Sequence, residues 1–220
     1  MINAVLFDLD GTLFDRAAVV NTFITRQHDR LNLPCDKAAY LARFIELDQN
    51  GTVWKDKVYT QLVEEFALPF SMNALLADYV MHFSECVEPF PHLEQLLANL
   101  KAQGKKLAIV SNGIGQFQIS TIHALGIEQY MDAILISEWE KLRKPDARLF
   151  ERACAKLEVK VAESLFVGDH PHFDIEGAKG AGLLTAWKRN GTQTVEADYI
   201  VDNLLDVETI IDKASNEQNI

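Results

Sequence analysis

The sequence is poor in cysteine and has no excess of basic residues. Only three cysteines occur among 220 residues, and none lies in a C-x-x-C pair, so we expect a reducing compartment and no disulfide framework. The formal net charge is -11, which argues against nucleic acid as a partner because phosphate backbones are bound by basic patches. A small anionic substrate is compatible with this charge if a cation lies between it and the protein.

Long apolar runs, internal repeats and low-complexity tracts are also missing. No uninterrupted apolar run approaches the roughly 18 residues of a membrane span. The first residues lack the basic segment and the apolar stretch of a signal peptide. We therefore expect a cytoplasmic protein that does not enter a membrane. Hydrophobic residues make up 48% of the chain, which is enough for a sizeable core.

Short apolar runs, each closed by polar residues or glycine, predict β-strands. Because the runs are continuous rather than alternating, they are typical of strands covered on both faces, as in a parallel sheet. Helical patterns alternate with them from about residue 92 onward, which indicates an α/β fold with a doubly wound parallel sheet. The predicted strands are Ala4–Phe7, Leu107–Val110, Ala133–Ile136, Leu165–Val167, Leu183–Trp187 and Tyr199–Val201.

Residues 16–87 break this alternation. They contain helix-like segments with aromatic-rich apolar positions of their own, at about 17–31, 37–48, 53–67 and 72–86. We interpret them as an all-helical domain inserted after the first strand. Residues 1–15 and 88–220 then form the core domain.

Polar residues suited to phosphate or metal follow the predicted strands. Ligands of an open parallel sheet bind outside the carboxyl ends of its strands. Asp8 and Asp10 follow the first apolar run directly. The later runs are followed by Ser111 and Asn112, by Lys144, and by Asp169 and Asp174. We expect these side chains to converge on one crevice.

Several carboxylates in one crevice repel one another unless a cation lies between them, and oxygen ligands favour Mg²⁺. A carboxylate beside Mg²⁺ can attack phosphorus to form an aspartyl-phosphate, and a second carboxyl group can protonate the leaving oxygen and then activate water. Ser111 and the backbone N–H of Asn112 can bind phosphoryl oxygens. Lys144 can supply a positive charge, and Pro145 suits the first position of a helix, so we expect the lysine at a helix N-terminus.

Four segments resemble the motifs of the haloacid dehalogenase-like hydrolase superfamily, in the family's order: FDLDGTL, VSNG, KPD and GDHPHFD. The resemblance spans nearly the whole chain and includes the helical insert, which lies at the position of the family's C1 cap. It implies a phosphoric monoester hydrolase with Mg²⁺ as cofactor. It also implies that the helical domain closes over the crevice and selects the substrate.

The resemblance implies a role for each matching residue. Asp8 matches the nucleophile and a Mg²⁺ ligand, and Asp10 matches the general acid/base whose backbone carbonyl also binds the metal. The dehalogenases themselves lack an aspartate at the second position, so Asp10 favours phosphoryl chemistry. The remaining matches are Ser111 and Lys144 for phosphate, Asp169 for the metal and Asp174 as a supporting acid.

Two alternatives fit parts of the pattern. A phosphomutase would use the same nucleophile but return the phosphoryl group to a sugar, with a bisphosphate activator. A non-enzymatic phospho-accepting signalling module also places acids, a hydroxyl group and a lysine at strand ends, but it is far shorter and does not explain Asp10. We predict a phosphatase that acts on a small phosphate ester, as a monomer or homodimer.

Overall fold

The chain folds into two compact units. The computed structural model describes residues 1–190 and 194–217. One unit, built on a sheet, comprises Met1–Asp15 and the described part of Pro89–Ile220, and the other comprises the helical segment Arg16–Glu88.

The sequence analysis predicted residues 16–87 for the helical domain. The helical unit ends at Glu88, one residue beyond the predicted limit. The predicted core range also includes residues 191–193 and 218–220, which lie outside the described residues.

Six strands of the described chain form one parallel sheet. They are β1 (Ala4–Phe7), β2 (Lys106–Ser111), β3 (Ala133–Ile136), β4 (Ser164–Gly168), β5 (Leu184–Lys188) and β6 (Tyr199–Val201). Their order across the sheet is β3-β2-β1-β4-β5-β6, so β1 lies between β2 and β4. The predicted α/β class with a doubly wound parallel sheet is confirmed.

Helices connect these strands and also build the second unit. In the helical unit they are α1 (Arg16–Leu31), α2 (Lys37–Asp48), α3 (Lys55–Glu65) and α4 (Met72–His82). In the sheet unit they are α5 (Leu93–Ala102), α6 (Gly115–Ala124), α7 (Ser137–Glu140), α8 (Ala147–Lys156), α9 (Gly177–Ala181) and α10 (Asp206–Glu217). Among the described residues, none of these helices has both the length and the apolar character of a membrane span.

The side chains of β1 are buried on both faces of the sheet. Ala4 and Leu6 lie in an apolar core together with Leu149 and Phe150 of α8. Val5 and Phe7 point to the opposite face, because side chains alternate along a strand, and they are also fully buried. This two-sided burial is the physical reason for the continuous apolar runs.

Helix α8 begins at Ala147, two residues after the predicted start. Asp146 is its N-cap, and the Asp146 side chain accepts a hydrogen bond from the backbone N–H of Arg148. The prediction that Pro145 opens the helix was therefore wrong. Lys144 precedes the first turn of α8 by three residues and does not lie at its N-terminus.

The helical unit has an aromatic core and a buried charged group of its own. The ring of Tyr79 packs edge-on against Phe23, with ring centroids 5.1 Å apart. The carboxylate of Asp48 accepts two hydrogen bonds from the guanidinium of Arg16, at 2.8 and 3.0 Å, and also pairs with the ammonium of Lys55. All three charged side chains are buried, so each depends on the others for solvation.

Candidate active site

The carboxyl edge of the sheet brings together residues from three central strands. Asp8 directly follows β1, Ser111 is the last residue of β2, and Asp169 directly follows β4. The backbone N–H of Asp8 donates to the carbonyl of Val167 at 2.9 Å, which continues the pairing of β1 with β4 up to the acid. The hydrogen-bonded sheet therefore fixes the main chain of Asp8, from which the first carboxylate extends.

Three carboxylates form a cluster at this edge. Asp8, Asp169 and Asp174 each place one oxygen within 4.8 Å of the other two. Asp174 lies on the helical turn Pro171–Glu176, and its Oδ2 accepts a hydrogen bond from the backbone N–H of His170 at 2.9 Å. Both Asp8 and Asp174 are buried, so the cluster concentrates negative charge away from water.

Lys144 supplies the positive charge of the cluster. Its Nζ lies 2.6 Å from Oδ1 of Asp8 and 2.7 Å from Oδ1 of Asp174, and the side chain is 2% exposed. Burial alone would lower the pKa of Lys144, but the carboxylates of Asp174 and Asp8 outweigh it and raise the pKa above its ordinary value. The lysine therefore stays charged at neutral pH.

One ammonium does not neutralise three carboxylates. The raised pKa values of Asp8 and Asp169 reflect the excess of negative charge. Burial, with the repulsion of Asp174, raises the pKa of Asp8 to about 6 against the opposing attraction of Lys144. Burial and the charges of Asp8 and Asp174 raise the pKa of Asp169 to about 8. Protons and metal cations compete for such groups.

This arrangement fits a hard divalent cation. The donor atoms of the cluster are carboxylate oxygens, which Mg²⁺ prefers, and the surplus negative charge is what a divalent ion would compensate. Asp8 and Asp169 could hold such an ion, with Asp174 beside them. The side chain of Asp10, the other residue predicted at the metal, is not part of this cluster; its expected contribution was a backbone carbonyl.

Asp10 and Ser111 are joined by a residue of α6. Nε2 of Gln118 donates to Oδ2 of Asp10 at 2.5 Å and to Oγ of Ser111 at 2.6 Å. The site thus has two parts, a charged cluster around Lys144 and a hydrogen-bonded group around Gln118.

The side chain of Asn112 holds the backbone of Lys144. Its Oδ1 accepts from the N–H of Lys144 at 2.8 Å, and its Nδ2 donates to the carbonyl of the same residue at 2.9 Å. The sequence predicted only that the backbone N–H of Asn112 binds phosphate. The structure gives the asparagine side chain a separate task, which is to fix the segment that carries the lysine.

Thr12, Gln118 and Asn190 were not predicted at the site, but their side chains contact side chains of the predicted residues. Thr12 donates its hydroxyl to Oδ2 of Asp8 at 3.0 Å. Asn190, just beyond β5, donates from Nδ2 to the carbonyl of Gly11 at 2.8 Å and to Oδ2 of Asp169 at 3.3 Å. The polar positions that closely follow Asp8, Ser111 and the end of β5 were the available signal.

Comparison with known proteins finds similar chains along nearly the whole length of this one. The hydrolase YfnB from Bacillus subtilis, solved bound to magnesium, superposes with a TM-score of 0.80 at 24% identity, covering 96% of this chain and 99% of that one, which shows the same fold. A glyceraldehyde 3-phosphate phosphatase from Methanothermobacter thermautotrophicus is 30% identical over 229 aligned residues and covers 100% of both chains. A pyrophosphatase, PpaX, from Bacillus mycoides is 27% identical over 96% of this chain and 98% of its own.

The family model described as haloacid dehalogenase-like hydrolase matches residues 5–188. This range contains both parts of the site, from Asp8 through Gln118 and Lys144 to Asp174. The match confirms the family expected from the four motifs. The chain belongs to the haloacid dehalogenase-like hydrolases.

Proposed function

We propose that the protein is a Mg²⁺-dependent phosphatase that hydrolyses a small phosphomonoester through an aspartyl-phosphate on Asp8. The observation that carries this proposal is the cluster of three carboxylates around one buried ammonium, at the end of the central strand. The relatives named as phosphatases support the same reaction class.

In the first half of the proposed reaction, a carboxylate oxygen of Asp8 attacks phosphorus and the bond from phosphorus to the ester oxygen breaks. Asp10 donates a proton to the departing oxygen, so the alcohol leaves in neutral form. Lys144 and Ser111 stabilise the negative charge on the transferring phosphoryl group, the lysine by its charge and the serine by a hydrogen bond.

In the second half, water attacks the phosphorus of the aspartyl-phosphate while Asp10 accepts a proton from that water. The bond between phosphorus and Asp8 breaks, which releases inorganic phosphate and restores both acids. Bound Mg²⁺ would supply positive charge that lets an anionic substrate approach the acid cluster. Asp8 and Asp169 would hold it.

The relatives and the family support a small phosphate ester as the substrate class. The phosphatase from M. thermautotrophicus is named for glyceraldehyde 3-phosphate, a small ester, and we propose a substrate of this size for the present chain. We also propose that residues 16–87 form the family's cap and select the alcohol part of the substrate. The helical unit is inserted directly after the motif that carries Asp8 and Asp10, which supports this assignment.

The test is release of inorganic phosphate from a panel of esters, with and without Mg²⁺. The panel contains glyceraldehyde 3-phosphate, other sugar phosphates, phosphoglycolate, nucleoside monophosphates and pyrophosphate. We expect release that requires both Mg²⁺ and Asp8, with Asp8→Asn as the inactive control. Turnover only with a bisphosphate activator would instead indicate a mutase, and a long-lived phosphorylated Asp8 without turnover would indicate a signalling module.

A further inference from the structure

Gln118 is a buried polar residue in the site with no role in the reaction described so far. It lies on α6, its side chain is buried, and it contacts the proposed acid/base and the proposed phosphate ligand at once. Asp10 and Ser111 come from different strand ends, so this one amide joins two parts of the sheet edge.

The chemistry of the amide determines what its two partners can do. An amide nitrogen has two N–H bonds and no acceptor, so one N–H is directed to Oδ2 of Asp10 and the other to Oγ of Ser111. In a protonated carboxyl group the carbonyl oxygen is the stronger acceptor, so a hydrogen bond from the amide favours the proton on the other oxygen. The transferable proton of Asp10 is therefore placed on Oδ1.

The amide of Gln118 constrains Ser111 as well. Its Oγ uses a lone pair to accept from Gln118, which leaves the hydroxyl hydrogen available for another acceptor. A phosphoryl oxygen is such an acceptor. Gln118 thus orients the serine as a donor.

The fold holds this amide in place at some cost. Oε1 of Gln118 is buried and has no hydrogen-bond partner among the described residues. Gly113 provides the necessary space, since a Cβ built there would lie 2.5 Å from Cγ of Gln118. An unsatisfied buried carbonyl is unfavourable, so in this position the amide keeps the two hydrogen bonds of its nitrogen at the expense of its oxygen.

We propose that Gln118 is a positioning residue that fixes the proton-bearing oxygen of Asp10 and the donor direction of Ser111. This inference rests on the proposed phosphatase function. Its specific consequence concerns the alcohol that leaves. An alkyl phosphate needs a proton from Asp10 in the first half-reaction, whereas p-nitrophenyl phosphate loses a stable phenolate without one.

The experiment compares kcat/KM for these two kinds of substrate in the wild type and in Gln118→Met, which removes the amide and retains the length of the side chain. We expect kcat/KM for an alkyl phosphate to fall about 10²-fold, with a fall at least about tenfold smaller for p-nitrophenyl phosphate. Thr121→Val is the matched control: Thr121 lies buried on the same helix, and its hydroxyl bonds only the carbonyl of Phe117 among the hydrogen bonds described, so both values should stay near wild type.

A second variant reaches the same amide by another route. Gly113→Ala leaves Gln118 intact but displaces it, so it should show the same selective loss on the alkyl ester. Equal losses on both substrates in either variant, or no loss in Gln118→Met, would overturn the positioning role while the phosphatase assignment stands. Absence of Asp8-dependent release in the wild type would overturn both.

Discussion

The ammonium of Lys144 lies 2.6 Å from Oδ1 of Asp8, although 136 positions separate the two residues in sequence. The same ammonium contacts Asp174 at 2.7 Å. One cation therefore pairs with two buried carboxylates, and its removal takes away the ammonium that both of them contact.

Lys144→Met should destabilise the protein and abolish most of its activity. The loss of stability at pH 7 should be about 3–5 kcal/mol, because breaking a buried ion pair leaves uncompensated charge. The rate should fall about 10²–10³-fold, as for removal of one group that stabilises developing charge. Denaturant unfolding and phosphate release measure the two effects. Lys156→Met is the control, since Lys156 pairs with Glu140 at the surface and should matter little for either.

The stability of the metal-free protein should decrease as pH rises. In the folded protein the pKa of Asp8 is raised from 3.8 to about 6, and that of Asp169 is raised from 3.8 to about 8. Between about pH 4 and pH 8 the folded state therefore binds more protons than the unfolded state. The stability that this protonation provides is complete below about pH 4 and is lost as pH rises toward 8. Unfolding followed across this range in EDTA should show the decline.

Saturating Mg²⁺ should reduce that decline, because the ion binds the ionised carboxylates of the folded state. Asp169→Asn should weaken both the pH dependence and the effect of Mg²⁺. A metal-free stability that stays constant or rises from pH 4 to pH 8 would contradict the charge balance described for the cluster.

Gly11→Ala should weaken the response to Mg²⁺ more than it weakens the fold. Gly11 has a φ of +86°, and a Cβ there would overlap the carboxylate of Asp169. The left-handed backbone costs about 1–2 kcal/mol for a residue with a side chain, and the overlap also displaces a proposed metal ligand. Gly104→Ala separates the two effects: its φ is +74° and nothing lies within 4 Å of the added carbon. The Mg²⁺ concentration needed for half-saturation should rise in Gly11→Ala and stay near the wild-type value in Gly104→Ala.

Asp48→Asn should destabilise the helical unit by about 3–5 kcal/mol, because the buried cations of Arg16 and Lys55 lose their shared anion. Glu65→Gln is the matched change at the surface, where Glu65 pairs with Arg43 in partial contact with water. It should alter the unfolding midpoint little. Similar unfolding midpoints for the two variants would contradict the expectation that the buried carboxylate of Asp48 contributes more to stability than the surface carboxylate of Glu65.

The fold was predictable to the extent that burial leaves a signal in the sequence. β1, β3 and β6 were predicted residue for residue. The side chains of β1 are fully buried and those of β3 are buried or half-buried, so both strands form continuous apolar runs. Asp8, Ser111 and Asp169 follow from the same reasoning, since parallel strands that neighbour one another end at one edge. The start of α8 was missed because the cap formed by Asp146 decides it, not the preceding proline.

The residues that support the site were not predictable in this way. Gln118 lies 108 positions from Asp10 and Asn190 lies 179 positions from Gly11, so neither contact leaves a local pattern. In the sequence, Gln118 is one polar residue in a helical segment, and nothing near it marks it as part of a site. Only the three-dimensional arrangement shows which acid its amide meets.

The central position of β1 has a consequence for the synthesis of the protein. Both partners of this apolar strand come later in the chain, the nearer one after the entire helical unit. At about 5–20 residues per second, a ribosome needs about 5–20 s to make the roughly 100 residues that separate β1 from β2. Throughout that interval β1 is an unpaired apolar strand in the nascent chain, so we expect the chain to be most prone to misassociation before β2 is made and can pair with it.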